Sequence, residues 1–296
     1  MWGIDLGGTK IELAVLDSSD SRTPKYRERL ATEAHLGYEH ILEQIAALVR
    51  KAESDLGPAP ELLGIGTPGV TDPVTGLLKN SNTVCLNSKP LKADLEAKVG
   101  KRMIMANDAN CFALAETRLG AAAGAECVFG VIMGTGVGGG VVVNGKVLHG
   151  LHGIAGEWGH NVLERDGQPC YCGKRGCVET VLSGPALERY FQQLSGEHRD
   201  LRWIAAHASS NENAAATIQR LCEKFGQALA VIVNILDPDA IVLGGGVGNV
   251  PELYSAGLAE VTKWVFNSEL RTQLLRPKLG DSAGSLGAAL LSRGER

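Results

Sequence analysis

The sequence predicts a two-lobed α/β protein. Three observations carry that prediction. The chain has 296 residues, enough for two cores. Short apolar strands alternate with segments of helical periodicity. A unit of strand, glycine turn and return strand opens the chain and opens again in its middle: Asp5-Leu6-Gly7-Gly8-Thr9 is echoed by Met133-Gly134-Thr135-Gly136. The predicted division is a small α/β lobe over 1–116, with the C-terminal helix 285–296 packed on it, and a larger α/β lobe over 117–284. The two similar lobes are expected to face each other across a cleft.

Taken in order, residues 2–6 read as a strand, Gly7-Gly8-Thr9-Lys10 as a turn and 11–16 as the return strand. Ile41, Ile45, Leu48, Val49 and Ala52 recur at helical spacing within 38–56. Residues 62–66 read as a buried strand, 91–99 as a short helix and 102–106 as a strand, with Asp108 near the start of the next helix. The pattern then restarts with strands over 127–133 and 137–143 around Gly134-Thr135-Gly136. Asn144-Gly145 is a hairpin signal, with 146–148 pairing back. Residues 150–180 are loop-rich. Helices dominate 185–236, ending near Asp237-Pro238. A strand over 241–243 precedes Gly244-Gly245-Gly246, and a helix closes the chain near 285–293.

Hydrophobic residues make up 44% and charged residues 21%, as in soluble globular chains. A net charge of -4 leaves no electrostatic footprint for nucleic acid or an anionic membrane. No run reaches the ~18 apolar residues of a membrane span. No basic region precedes an apolar stretch at the start, so a cytoplasmic location without a signal peptide is expected. Seven cysteines are then thiols or metal ligands before they are disulfides.

Gly7-Gly8-Thr9-Lys10 offers amides, a hydroxyl and an ammonium at one turn, which suits phosphate oxygens. Asp5 just before it could hold Mg²⁺ through water. The plainer reading is a hairpin with a glycine turn. Gly134-Thr135-Gly136, followed by Gly138-Gly139-Gly140, is a second such turn, or simply a flexible one. Gly244-Gly245-Gly246 after an apolar strand could let an adenosine lie on the backbone. Residues 140–147 imitate the spacing of a Walker A loop, but Val147 supplies no hydroxyl, and the Asn144-Gly145 hairpin explains them better.

Asn107-Asp108-Ala109-Asn110 sits where a strand gives way to a helix, the end at which α/β proteins collect ligands. A carboxylate there could take a proton from a substrate hydroxyl. Locally a helix cap explains the residues better than a base. Cys170, Cys172 and Cys177 place three thiols within eight residues, and His160 lies ten positions upstream of the first. That donor set matches a closed structural Zn²⁺ site, with Gly173 and Gly176 giving the loop its freedom. Glu157 and Glu179 flank it, either as solvated charges or as acceptors for sugar hydroxyls. Cys85, Cys111, Cys127 and Cys222 read as ordinary thiols. Of the other histidines only His152 lies near this segment.

Together these motifs resemble the ROK family of sugar kinases, within the ribonuclease H-like, hexokinase–actin type of fold. The resemblance spans nearly the whole chain. Its most specific element is Cys170–Glu179, similar to the zinc signature C-x-C-G-x-x-G-C-x-E. Asp5–Lys10, Gly66-Thr67-Pro68-Gly69, Asn107–Asn110, Gly156–His160 and Gly244–Gly246 carry the rest. The resemblance implies Asp108 as catalytic base. It implies Gly69, Asn82, Asn107, Asp108, Glu157, His160 and Glu179 at the sugar, with one His160 nitrogen on zinc. Gly7, Gly8, Thr9, Lys10, Thr135, Gly136, Gly244, Gly245 and Gly246 are implied at ATP, with Mg²⁺. The implied reaction is in-line transfer of the γ-phosphoryl group to the 6-hydroxyl of a hexose. Lys79–Asn82, Glu157–Asn161 and Pro169–Lys174 look most like fructokinase or mannokinase members. Glucokinase and N-acetylglucosamine kinase are the alternatives, and a non-catalytic sugar-binding regulator is the alternative of another class. The family's repressors carry a DNA-binding segment ahead of the first lobe, for which residues 1–4 leave no room. A homodimer is implied, with the larger lobe as its expected interface.

Overall fold

A computed structural model describes residues 1–293. The chain groups into two compact units: Met1–Gly124 with Gly140–Ala155 and the segment from Lys278 onward, and Ala125–Gly139 with Gly156–Pro277. Residues 117–124 and 140–155, expected with the larger lobe, thus group with the first unit. The last three residues of the expected C-terminal helix, 294–296, lie outside the described residues.

The strands of the first unit are β1 (Trp2–Leu6), β2 (Lys10–Val15), β3 (Tyr26–Ala31), β4 (Leu62–Thr67), the short pair β5 (Val70–Thr71) and β6 (Leu78–Lys79), and β7 (Arg102–Asn107). Its helices are α1 (Tyr38–Leu56), α2 (Leu91–Val99) and α3 (Asp108–Arg118). The main sheet has the order β3-β2-β1-β4-β7, antiparallel through β3, β2 and β1 and parallel through β1, β4 and β7. Strand alternation divides its side chains between two faces. Ile4, Leu6, Leu63 and Ile65 join Ile41, Ile45, Leu48 and Leu95 of α1 and α2 in one core. Each such fully buried aliphatic side chain contributes about 1.5–3 kcal/mol. Gly3, Asp5, Gly64 and Gly66 take the other face.

That second face receives the chain's last helix, α9 (Ala283–Leu291). A methyl group on Gly64 would overlap the Ala288 carbonyl, and one on Gly3 would overlap Ala289 and Ser285. The glycines are therefore required by backbone approach, because both have ordinary φ. Gly64→Ala is expected to destabilise the protein by about 1–3 kcal/mol through overpacking, measured as a lower urea midpoint with unchanged slope. Two buried carboxylates fasten the same region. Glu12 pairs with Arg29 and accepts from Ser285 Oγ at 2.5 Å. Glu116 accepts from the amides of Ala121, Lys278 and Leu279 at 2.7–3.0 Å, tying the end of α3 to the approach of α9.

The second sheet repeats the first. It is formed by β8 (Cys127–Met133), β9 (Val137–Val143), β10 (Lys146–Val147), β11 (Ala240–Gly244) and β12 (Gln273–Leu275), in the order β10-β9-β8-β11-β12. Once the β5–β6 pair is set aside, both sheets run third, second, first, fourth, fifth, with the first, fourth and fifth strands parallel. The weak sequence echo is thus a repeated topology. The second unit's helices are α4 (Val178–Leu182), α5 (Gly184–Ser195), α6 (Leu201–Ala206), α7 (Glu212–Leu236) and α8 (Ala256–Thr262). α7 buries Ile218, Leu221, Phe225, Leu229, Ile232 and Val233 along one stripe, and it stops at Asp237, which takes a left-handed φ of 45° before Pro238. Among the described residues, no helix is long and apolar enough to cross a membrane.

Some elements leave no clear mark in the sequence. β3 alternates half-buried with exposed, largely charged positions, so it lacks an apolar run and reads as polar loop. β5–β6, β12 and α8 are too short for periodicity to declare them.

Candidate active site and metal centre

Three neighbouring parallel strands of the first unit end together, and each leads into a predicted site segment. β1 leads to Gly7-Gly8-Thr9, β4 to Pro68-Gly69 and β7 to Asp108. This is the edge where ligands collect in α/β sheets. The turn after β1 closes by Gly7 N donating to Lys10 O at 2.9 Å, and Thr32 Oγ1 donates to Gly7 O at 2.6 Å. Gly8 lies against Thr83, whose Oγ1 would be 3.4 Å from a side chain there. Asn82 is exposed beside it, and Thr83 Oγ1 donates to Asn82 Oδ1 at 3.5 Å. Gly69 must lack a side chain because Lys79 O would stand 2.8 Å away.

Of the pair at 107–108, the structure gives the cap to the first. Asn107 is the N-cap of α3, its Oδ1 accepting from Asn110 N at 2.8 Å. Asp108 is released from capping, and its Oδ1 accepts from the adjacent Ala109 N at 2.8 Å. It keeps solvent-accessible surface while protein crowds around it. That crowding raises its pKa above the ordinary carboxylate value, and the amides of Ala109 and Asp108 itself oppose the rise. Asp5, on the α9 face of β1, is pushed up to about 7, first by burial and then by the charges of Asp108 and Glu12. Cys111 lies beneath both, a buried thiol held protonated by its surroundings and by the same two carboxylates.

Asp5 is a buried carboxylate whose negative neighbours, Asp108 and Glu12, favour a cation beside it, and its oxygens suit a hard divalent one. Asp5 therefore fits the Mg²⁺ role expected of it. A sign follows for stability. Because its folded pKa lies above the unfolded carboxylate value of about 3.9, Asp5 makes the metal-free protein lose stability as pH rises from about 4 to 7. Asp5→Asn is expected to remove that slope, giving a higher Tm than the parent at pH 8 and abolishing the gain in Tm on adding Mg²⁺.

In the second unit, β8 and β11 are neighbouring parallel strands ending at Gly134-Thr135 and at Gly244-Gly245-Gly246. Gly134 N donates to Gly136 O and Gly184 N to Gly134 O, both at 2.8 Å. Gly134, Thr135 and Gly246 line a cavity of about 670 Å³. Gly245, next to the lining Gly246, takes φ 80° with Met133 O against it, so no side chain fits there. The other walls of the cavity escape a reading of the sequence. Glu188 of α5, Leu201 and Ala205 of α6, and Val247 and Val250 come from separate elements with no shared motif. The Walker-like stretch 140–147 is a hairpin, with Asn144 at φ 51° and Gly145 at φ 70°.

His160, Cys170, Cys172 and Cys177 converge so that their ligand atoms all lie within 4.8 Å of one another. Cys170 Sγ is 3.6 Å from His160 Nδ1, and Cys172 Sγ is 3.6 Å from Cys177 Sγ. Ligands about 2.0–2.3 Å from a tetrahedral Zn²⁺ stand roughly 3.5–3.8 Å apart; both of these separations fall in that range, and the donor set is compatible with zinc. The loop is folded by its backbone: Cys170 N donates to Lys174 O, and Leu163 N and Glu164 N both donate to Gly176 O. Gly173 and Gly176 take φ values of 88° and 65°. His160 Nε2 meets Tyr171 Oη at 3.1 Å.

Glu179, two residues after Cys177, lies in the first turn of α4 and accepts from Val137 N at 3.0 Å through Oε2. It thereby joins the metal loop to the second glycine turn, leaving no room for a side chain at Gly136. Glu157 precedes the short helical turn Trp158–His160, whose Trp158 is buried edge-on against Phe129. The remaining cysteines join no metal-like cluster among the described residues: Cys85 and Cys127 donate to carbonyls, and Cys111 and Cys222 are buried.

The ROK family profile matches residues 1–295. An N-acetyl-D-glucosamine kinase of Photobacterium profundum is 35% identical over 98% of this chain and 98% of its own. The N-acetylgalactosamine kinase AgaK of a Shewanella species is 36% identical over 99% and 96%. The crystal structure of the ROK hexokinase from Thermus thermophilus superposes with a TM-score of 0.88 at 35% identity, covering 98% and 97% of the two chains. These relatives displace the resemblance to fructokinase or mannokinase. The segments on which that resemblance rested build the metal loop and the strand ends, a frame that kinases of several sugars share.

Proposed function

Because the chain belongs to the ROK family, we propose that this ATP-dependent sugar kinase phosphorylates the 6-hydroxyl of an N-acetylhexosamine, N-acetylglucosamine before N-acetylgalactosamine. The observation that carries the choice of sugar is that the Photobacterium and Shewanella relatives, which match almost the whole chain, are named for N-acetylhexosamines. An active kinase also replaces the sugar-binding regulator kept as an alternative.

In this reading Asp108 accepts the proton of the sugar hydroxyl while the oxygen bonds to the γ-phosphorus. The bond from that phosphorus to the bridging oxygen breaks, and ADP leaves. The Ala109 amide engages Oδ1 of Asp108, and Oδ2 is the oxygen proposed to take the proton. Asn107 holds the first turn of α3, which fixes Asp108 in place. Gly69, Asn82, Asn107, Glu157, His160 and Glu179 are the residues proposed to bind the remaining hydroxyls. Gly7–Lys10 and Thr135-Gly136 bind phosphates. The cavity beside Gly246 takes the nucleoside, with Gly244 and Gly245 shaping its turn. Asp5 would hold Mg²⁺ through water, and the ion would offset phosphate charge. His160, Cys170, Cys172 and Cys177 would hold Zn²⁺, whose role would be structural, since four protein ligands would leave it no open position. The enzyme is a cytoplasmic homodimer.

Steady-state kinetics with ATP across N-acetylglucosamine, N-acetylgalactosamine, glucose, mannose and fructose test the assignment. The expected result is a kcat/KM for N-acetylglucosamine at least about tenfold above that for fructose or mannose, a margin that one or two pocket contacts can supply. Equal or higher values for fructose or mannose would return the protein to the fructokinase or mannokinase reading.

A further inference from the structure

The first unit carries a second cavity, of about 290 Å³, beside the strand end that presents Asp108. Val70 and Thr71 of β5, Met105 of the edge strand β7, and Asn107 and Asn110 of the first turn of α3 line it. His149 and Lys92 also line it. Of the residues given roles above, Asn107 is the one that reaches this space.

Two features define what it can hold. Asn110 is 2% exposed, and its Oδ1 has no hydrogen-bond partner. A buried acceptor left without a donor costs free energy, so its retention beside a cavity points to a ligand that brings an N–H or O–H. The lining carries no carboxylate among the described residues, and Val70, Ile104, Met105 and Ala106 give it an apolar share. A phosphate or carboxylate is a poor occupant, because it would place acceptors against Asn110 Oδ1. A cation meets Lys92 and no opposite charge. The fitting group is neutral and small, with one donor at its base and a hydrocarbon tip.

We propose that this cavity is the subsite for the 2-acetamido group of the sugar, with Asn110 Oδ1 accepting the amide N–H and Val70 and Met105 receiving the methyl. The proposal rests on the N-acetylhexosamine reading and adds the residues that enforce it. Asn110 takes part in two ways. Its backbone N–H completes the cap that positions Asp108, and its side chain reads the substituent that separates N-acetylglucosamine from glucose.

The test compares kcat/KM for N-acetylglucosamine with that for glucose in the parent, in Asn110→Leu, which keeps volume and removes the acceptor, and in Thr71→Phe, which fills the cavity from a half-buried position in a two-residue strand. The expected result is a parent ratio above one that falls at least about tenfold in both variants, mainly through KM for the acetamido sugar, as loss of a buried hydrogen bond or of its space dictates. Circular dichroism and Tm identify any variant that fails to fold, and the other then decides. A selective parent whose folded variants keep their ratio within about twofold overturns the subsite alone. A parent with no preference for the acetamido sugar overturns the substrate reading as well, and the parent's own constants tell the two failures apart.

Discussion

Asp108→Ala is expected to lower kcat with ATP and N-acetylglucosamine by about 100- to 10,000-fold, the range over which a general base acts, with KM for both substrates changed little. Asp108→Asn is the sharper variant. Asparagine is as good a helix-terminus residue as aspartate, and Asn107 already supplies the cap, so a purely structural Asp108 would tolerate the change. As a base, it would not. Tm should stay close to the parent's in the asparagine variant while turnover collapses. Parental turnover in a folded Asp108→Asn protein would exclude the role. The pH profile carries the same signature. Crowding raises the Asp108 pKa, and only the deprotonated carboxylate accepts a proton. Activity therefore falls as pH drops through that raised value, and the acid limb of kcat/KM lies above the ordinary carboxylate range near ~4.

Cys177→Ser is expected to have the second large effect. Cys177 is fully buried, is one of four converging ligands, and is the residue from which α4 starts. Losing it removes a thiolate and leaves three donors around a cation. Metal binding at structural zinc sites is worth on the order of 10 kcal/mol in small zinc-finger peptides, comparable with the whole stability of a domain. The purified parent should contain about one Zn²⁺ per chain, the content of one four-ligand site. The variant should contain much less, with a lower Tm and little activity. The activity loss follows from chain geometry. Glu157 lies three residues before His160 and Glu179 two after Cys177, and Glu179 also grips Val137 N at the second glycine turn. A folded, fully active parent protein without zinc would refute the metal assignment.

What can be read from the sequence divides along physical lines. Central strands such as 2–6, 62–66 and 127–133 announce themselves because both faces are buried and the run is apolar. β3 and β12 stay hidden because an edge strand keeps polar positions and a three-residue strand has no period. The metal cluster is legible because Cys170, Cys172 and Cys177 are neighbours in sequence, and a chelating loop writes its geometry as spacing. Asp108 is ambiguous because capping and proton transfer both favour a short acidic side chain at a helix start. Only the bond from Asn110 N to Asn107 Oδ1 assigns the cap to its neighbour. The approach of Asp5 to Asp108 is set by sheet register and by α9, to which no local motif refers. The sugar is misread for a related reason. The segments around Asn82, Glu157 and Cys170 belong to the frame, whereas the cavity proposed to take the acetamido group joins Val70 to the distant stretch that holds Met105 and Asn110.

Phosphoryl transfer from ATP to the 6-hydroxyl of an N-acetylhexosamine is tested most directly by phosphorus and carbon NMR of the products formed from ATP, Mg²⁺ and N-acetylglucosamine. One sugar 6-phosphate is expected for each ADP, with the new phosphorus coupled to the C6 protons. Sugar-independent ADP formation, or a phosphate attached at any other carbon, would contradict it.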